Sequence, residues 1–267
     1  IASTGTGLGP LITAPFATFL INSFNWRIAY LVIGIVAWLV VIPLSRYLKR
    51  DPYEIGELPD GAKTQLEDTK MDENTFLADL SFQQAFRTRS LLFASSLFLV
   101  LTHIVPHTMD IGYSAVEAAT ILSLSGGATI VGRMLFGIAS DKLGRKLAVA
   151  ICTLLQFCAM LWLLWAQDLW MFYLFAILLG LAWGGMGPAM AALIGDTFGL
   201  NKLGVILGVL DVGFSTGAAI GPVIGGLIFD ISNSYFLAFS LGTLIMLVAT
   251  LLITLIKQER SPIIIPM

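Results

Sequence analysis

Charge is what this chain most lacks: 12% of its 267 residues are Asp, Glu, Lys or Arg, against 57% hydrophobic, and the formal net charge is -2. A soluble domain carries about twice that charged fraction, so a water-exposed globule is excluded. Mean hydropathy is +0.87, and lipid reads as the solvent for most of the chain. Cysteine is nearly absent. Cys152 and Cys158 lie six residues apart in one expected helix on nearly opposite faces, which excludes a disulfide between them and offers no metal spacing. Both read as small core residues. There are 2 histidines, no G-x-x-x-x-G-K-[ST] phosphate loop, no hydrophilic segment long enough for an ATPase domain, and no Ser/His/Asp arrangement. No enzyme activity, cofactor or nucleic-acid partner is therefore expected.

What the chain has is long apolar runs. Crossing the hydrocarbon layer takes roughly 20 apolar helical residues, because every backbone N–H and C=O must be satisfied inside the segment. Eight spans are expected near 2–22, 28–47, 90–110, 117–140, 147–166, 169–194, 204–229 and 235–256. The chain opens at Ile1, inside a Gly-rich apolar segment, and is expected to be a piece of a longer protein. If the loop after the second span is cytoplasmic, the basic residues from Arg46 through Arg260 fall inside, with only Arg27 outside and Arg133 within a span. That segregation follows the positive-inside rule and puts both chain ends in the cytoplasm of a cell-membrane protein.

An internal repeat bears on domain organisation. Ser3-Thr4-Gly5-Thr6-Gly7-Leu8-Gly9-Pro10-Leu11-Ile12 matches Ser215-Thr216-Gly217-Ala218-Ala219-Ile220-Gly221-Pro222-Val223-Ile224, and one more hydrophobic helix follows each copy. A period of six spans makes residues 90–267 a complete six-helix C-terminal half. Residues 1–47 become the last two helices of an N-terminal half, and 48–89 a central cytoplasmic linker. Four helices are expected upstream. Small residues in the repeated segment permit close helix approach, and the interior proline frees a carbonyl and bends the helix.

The segment Gly137-Ile138-Ala139-Ser140-Asp141-Lys142-Leu143-Gly144-Arg145-Lys146 matches G-x-x-x-D-[RK]-x-G-R-[RK] position for position. In this it resembles the major facilitator superfamily, at the junction of the eighth and ninth helices of a twelve-helix member. The linker run Asp51-Pro52-Tyr53-Glu54-Ile55-Gly56-Glu57-Leu58-Pro59-Asp60-Gly61, followed by an amphipathic Ser81 to Arg89, is similar to the microbial monocarboxylate-porter and oxalate/formate-antiporter-like branch. The resemblance implies an all-α membrane protein with the major facilitator fold, holding eight transmembrane helices of an expected twelve. Its implied partners are a small organic anion, protons, the lipid bilayer and the missing N-terminal helices of the same protein.

Each charge inside the membrane needs a reason, since one at the bilayer centre costs at least ~3 kcal/mol. Arg133 lies about seven residues, or roughly 10 Å, inside its span. A guanidinium grips a carboxylate with two parallel hydrogen bonds, which suits an organic-anion site. Resemblance to the branch implies substrate recognition by Arg133, while a structural ion pair with Asp211, at similar depth, remains open. His103, His107 and Asp110 are spaced four and three residues apart, on one helical face. Histidine titrates near neutral pH, so such a face suits proton coupling, with His103 deeper and facing substrate. Resembling proteins carry an acidic residue at the Asp110 position, implying a partner for the arginine. Asp110 nonetheless counts to about 20 Å in height from Arg133 unless Pro106 breaks the helix, and His107 and Asp110 also read as an interfacial cap. Asp211 joins His107 and Asp110 as a proton-coupling candidate.

In the signature loop, Asp141 is placed to pair with Arg145 or to face the amino-terminal end of a neighbouring helix. Gly137, Asp141, Gly144, Arg145 and Lys146 are expected to latch the cytoplasmic side and release it as the halves rock apart; Lys142 and Lys146 also read as topology signals. Gly180, Trp183, Gly184, Gly185, Gly187 and Pro188 fit either a pathway wall or close helix packing. The expected function is secondary active transport of small organic anions, proton-coupled monocarboxylate transport foremost. Oxalate/formate-type exchange is weakened, because similar proteins place a lysine in the eleventh helix and Val212 to Gly221 holds no cation. Proton-driven drug efflux, dependent on Asp211, and a non-transporting receptor on the same scaffold also fit the pattern of spans.

Overall fold

The computed structural model of this chain describes residues 5–47, 73–198 and 200–254, with side chains over 6–47, 90–195 and 204–254. Among the described residues there are eight helices and no strand: α1 (Gly5–Ser23), α2 (Trp26–Ser45), α3 (Glu73–Asp110), α4 (Ala115–Leu143), α5 (Arg145–Leu163), α6 (Leu169–Phe198), α7 (Leu200–Ser232) and α8 (Tyr235–Thr254). Seven of them are long and apolar enough to cross a bilayer, including Ser90–Asp110 of α3, as the hydropathy pattern predicts. The exception is α1. Its first turns hold Gly5, Thr6, Gly7, Gly9 and Pro10, which dilute the apolar content of a 19-residue helix. The linker pattern from Asp51 to Gly61 lies outside the described residues. Helix α3 begins at Glu73, inside the stretch expected as linker, and runs unbroken through Pro106 to Asp110. Pro106 therefore does not bring Asp110 toward the membrane interior.

The chain divides into two compact units, one of residues 16–79 and one of residues 1–15 with 80–267. In the smaller, Asn25 caps α2 by accepting from the Ile28 N–H at 3.0 Å. Arg27 sits over the Trp26 ring, 4.7 Å from its centroid, a cation–π contact suited to a membrane interface. Leu20 and Ala29 are buried there, while Trp38, Leu39 and most other α2 side chains are exposed.

In the larger unit, glycine lets main chains touch. A Cβ at Gly132 would run into the Leu181 carbonyl, one at Gly180 into that of Ser125, and one at Gly184 into that of Thr129, which fixes α4 against α6. Gly217 and Gly221 do the same for α7 against the Leu91 and Ser95 carbonyls of α3. Residues 5–15 of α1 belong to this unit, where a Cβ at Gly126 of α4 would meet the Gly7 carbonyl at 2.7 Å. Gly9, the counterpart of Gly221 in the repeat, meets nothing within 4 Å. Polar bonds between helices add register: Ser96 donates to the Gly242 carbonyl at 2.7 Å and Thr250 to that of Thr153 at 3.3 Å. Phe172, Phe175, Phe239, Leu97 and Met160 fill the core between α3, α5, α6 and α8.

Helices α4 and α5 meet at Gly144, whose φ of 96° lies where side chains are strained. The Gly144 N–H closes α4 on the Ser140 carbonyl at 3.2 Å, and Asp141 pairs with Arg145 across the turn. Gly137, about two turns before Gly144, has open space where a Cβ would sit. Gly144→Ala should destabilise the protein by about 1–3 kcal/mol, whereas Gly137→Ala should be neutral or gain up to ~1 kcal/mol of helix propensity. Thermal unfolding of the detergent-solubilised protein compares the two, and equal effects would contradict the strained-turn assignment.

Candidate functional site

Helix α4 carries the central charge. Its start is fixed by a reciprocal cap, in which the Glu117 carboxylate accepts from the Ser114 N–H at 2.8 Å and Ser114 Oγ accepts from the Glu117 N–H at 3.3 Å. Arg133 lies ten residues before the helix end at Leu143, about 15 Å along the axis. Its Nε and Nη1 are buried and have no hydrogen-bond partner. No ion pair joins it to Asp211, the structural alternative that the sequence leaves open. The missing side chain of Gly184 brings α6 against this part of α4, where a Cβ would lie 3.0 Å from the Arg133 amide nitrogen. Arg133 is therefore level with Trp183 of α6.

Trp183 lines a cavity of about 560 Å³ between α3, α6, α7 and α8. Asp211 of α7 is part of the same wall and is exposed. The aromatic side of the cavity is held by Phe98, whose ring meets Trp183 edge-on at 6.2 Å and Phe214 at 5.7 Å. The glycines of α6 thus divide by role. Gly180, Gly184 and Gly185 serve close packing, the last against Phe136 and Cys152, while Gly187 lines the cavity with Trp183.

The histidines occupy the opposite end of the bundle. His103 Nε2 lies 3.0 Å from the Pro222 carbonyl; a carbonyl only accepts, so Nε2 carries the proton in this bond. The ring also packs on Gly225, where a Cβ would fall 2.6 Å from it. His107 is ringed by Phe172, Tyr235 and Phe239 at 5.8, 5.4 and 5.1 Å. Asp110 is exposed at the α3 end. The structure brings His103 and His107 together around Tyr235, and separates His107 and Asp110 from Asp211 by most of the length of the helices. At the Asp211 end lies the signature loop, where Arg145 also reaches Ser140 Oγ at 3.3 Å and Lys146 is half-buried in the first turn of α5.

One polar group escaped notice in the sequence. Gln156 of α5 is fully buried, and neither its Nε2 nor its Oε1 has a partner. The signal was available as a lone amide within the apolar run from Leu147 to Trp165.

Because Gly184 sets the approach of α6 to Arg133, Gly184→Val should lower stability by ~1–3 kcal/mol through overpacking. Gly187→Ala, with open space at Cβ, should not. Thermal melting of the purified variants separates them; a tolerated Gly184→Val would remove the proposed constraint on Arg133.

Comparison with known proteins bears on both fold and site. A profile of the Major Facilitator Superfamily matches residues 1–128 and again 91–264. Monocarboxylate transporter 12 of Xenopus laevis is 27% identical over 96% of this chain and 60% of its own length. The human protein of that name is 26% identical over 98% of the chain and 56% of its own length. A multidrug resistance protein of Citrobacter koseri is 33% identical over 56% of the chain and 37% of its own. The chain thus spans less than two thirds of the length of these curated relatives. With the profile covering nearly all of the chain, and with the described residues all helical and holding seven helices long and apolar enough to cross a bilayer, this protein belongs to the Major Facilitator Superfamily as a multi-pass membrane protein.

Proposed function

We propose that the whole protein is a secondary transporter of small organic anions in the cell membrane, moving monocarboxylates with protons by alternating access, and that Arg133 is the anion anchor. The observation that carries this is the guanidinium itself, buried at Nε and Nη1 without a partner in a segment where a lone charge costs at least ~3 kcal/mol. An incoming carboxylate supplies the missing charge and two acceptors in one plane. Similarity to proteins named monocarboxylate transporter 12 supports the same substrate class.

The remaining residues take roles around that anchor. Asp211, on the cavity wall that Trp183 also lines, is the acidic group assigned to exchange a proton as the anion binds. His107 and Asp110 act at the other end, where a proton would enter or leave. His103, held on Pro222, shapes the passage between α3 and α7. Asp141 and Arg145 staple the α4–α5 turn around Gly144, with Gly137 and Lys146 beside it, and this stiff turn forms the cytoplasmic latch. Residues 1–47 would close an N-terminal half with further helices of the same protein, residues 48–89 would link it to the half formed by 90–267, and both ends of this chain would be cytoplasmic.

The test is flux through the full-length natural protein in liposomes, measured with radiolabelled lactate, pyruvate and oxalate, with and without an imposed proton gradient. Gradient-stimulated monocarboxylate uptake is expected. Arg133→Ala should reduce it at least ~30-fold, as for loss of one member of a buried charge pair, and Arg133→Lys should restore only part of it. Gradient-independent exchange of oxalate would replace proton coupling with antiport, and uptake insensitive to Arg133→Ala would remove the anchor.

A further inference from the structure

Gln156 carries an amide that no described group satisfies. The side chain is fully buried in α5, and neither Nε2 nor Oε1 has a hydrogen-bond partner. Leaving such a group unpaired forfeits the whole of its hydration, and a glutamine amide has two donor protons and two acceptor lone pairs to place. Bonds between helices frame it on its own face of α5, since residues three and four apart share a face. One turn toward the start of α5, the Thr153 carbonyl accepts from Thr250 Oγ1 of α8 at 3.3 Å. One turn toward the end, Met160 Sδ lies 3.2 Å from Ser96 Oγ of α3, which donates to the Gly242 carbonyl of α8 at 2.7 Å. Ser96, Thr153, Met160 and Thr250 are all buried. The amide therefore sits in an enclosed seam where α5 meets α8 and α3.

The framing hydroxyls have already used their protons. Ser96 gives its proton to Gly242, Thr153 to the Ala150 carbonyl at 3.0 Å, and Thr250 chiefly to the Met246 carbonyl at 2.8 Å. Each keeps an oxygen lone pair and has no second proton to offer Oε1, and the main-chain donors of the helices are spent on their own carbonyls. A cation would satisfy Oε1 and repel the Nε2 protons, an anion would do the reverse, and an apolar molecule would satisfy neither. The occupant must donate and accept at once, and it must fit between buried side chains. We propose that Gln156 holds an ordered internal water in the seam between α5, α8 and α3, bonded to its amide and donating onward to a hydroxyl lone pair of Ser96, Thr153 or Thr250. Such a water makes two to four hydrogen bonds to otherwise unsatisfied groups, about the number this seam supplies. The site stands apart from Arg133 and does not depend on the transport reading.

Electron cryomicroscopy of the full-length natural protein in nanodiscs tests the site, in maps where ordered waters are visible at other buried polar groups. A solvent peak is expected within hydrogen-bonding distance, ~2.7–3.2 Å, of Nε2 or Oε1 and of a framing hydroxyl. In Gln156→Leu, which is similar in volume and lacks both polar atoms, the peak should vanish while Thr250 keeps its bond to Thr153. The wild-type map decides alone if that variant does not fold. An amide with no solvent peak beside it, an amide bonded directly to Ser96, Thr153 or Thr250, or a peak that survives in Gln156→Leu would overturn the proposal.

Discussion

Main chain against main chain, at glycine, is the contact on which the described bundle rests. Lipid is as apolar as leucine, so helices inside a bilayer gain little by burying apolar surface against each other, and close approach must supply the attraction. Gly132, Gly180 and Gly184 give it to α4 and α6, and Gly217 and Gly221 give it to α3 and α7. Both candidate features depend on these crossings. The first holds Arg133 beside α6 with two nitrogens buried and unsatisfied; the second carries Asp211 to the wall of the cavity.

The two ends of the larger unit are built differently. At the end holding the histidines, Tyr235 stacks on Phe229 at 4.2 Å and on Phe239 at 5.8 Å, and His103 ties α3 to α7 through Pro222. Aromatic packing closes that end. The end with the signature loop keeps an open space, bounded by glycines with no neighbour at Cβ.

Much of this was legible in the sequence because it is local. Hydropathy located the spans of α2 to α8, and the signature segment Gly137 to Lys146 marked the junction of α4 and α5. What the sequence hid depends on partners distant along the chain. The bond from His103 to Pro222 spans 119 residues, and the cavity joins Ser90 to Ile253 through four helices. No periodicity could sort Gly184, which touches α4, from Gly187, which touches nothing. A break at Pro106, which the sequence left open, does not occur: proline removes one hydrogen bond, but in lipid the rest of the helix has no better conformation available, and α3 continues.

The crossing of α1 and α4 at Gly7 and Gly126 has a mechanical side. Interleaved side chains resist rotation, since each must climb out of its groove before the helices turn. Here a Cβ at Gly7 would meet Ile130 Cγ1 and the Gly126 carbonyl, and one at Gly126 would meet the Gly7 carbonyl and the Leu11 amide nitrogen. Such a crossing sets the spacing of residues 5–15 and α4 by the absence of two side chains, so a methyl group added at either glycine would wedge the pair apart.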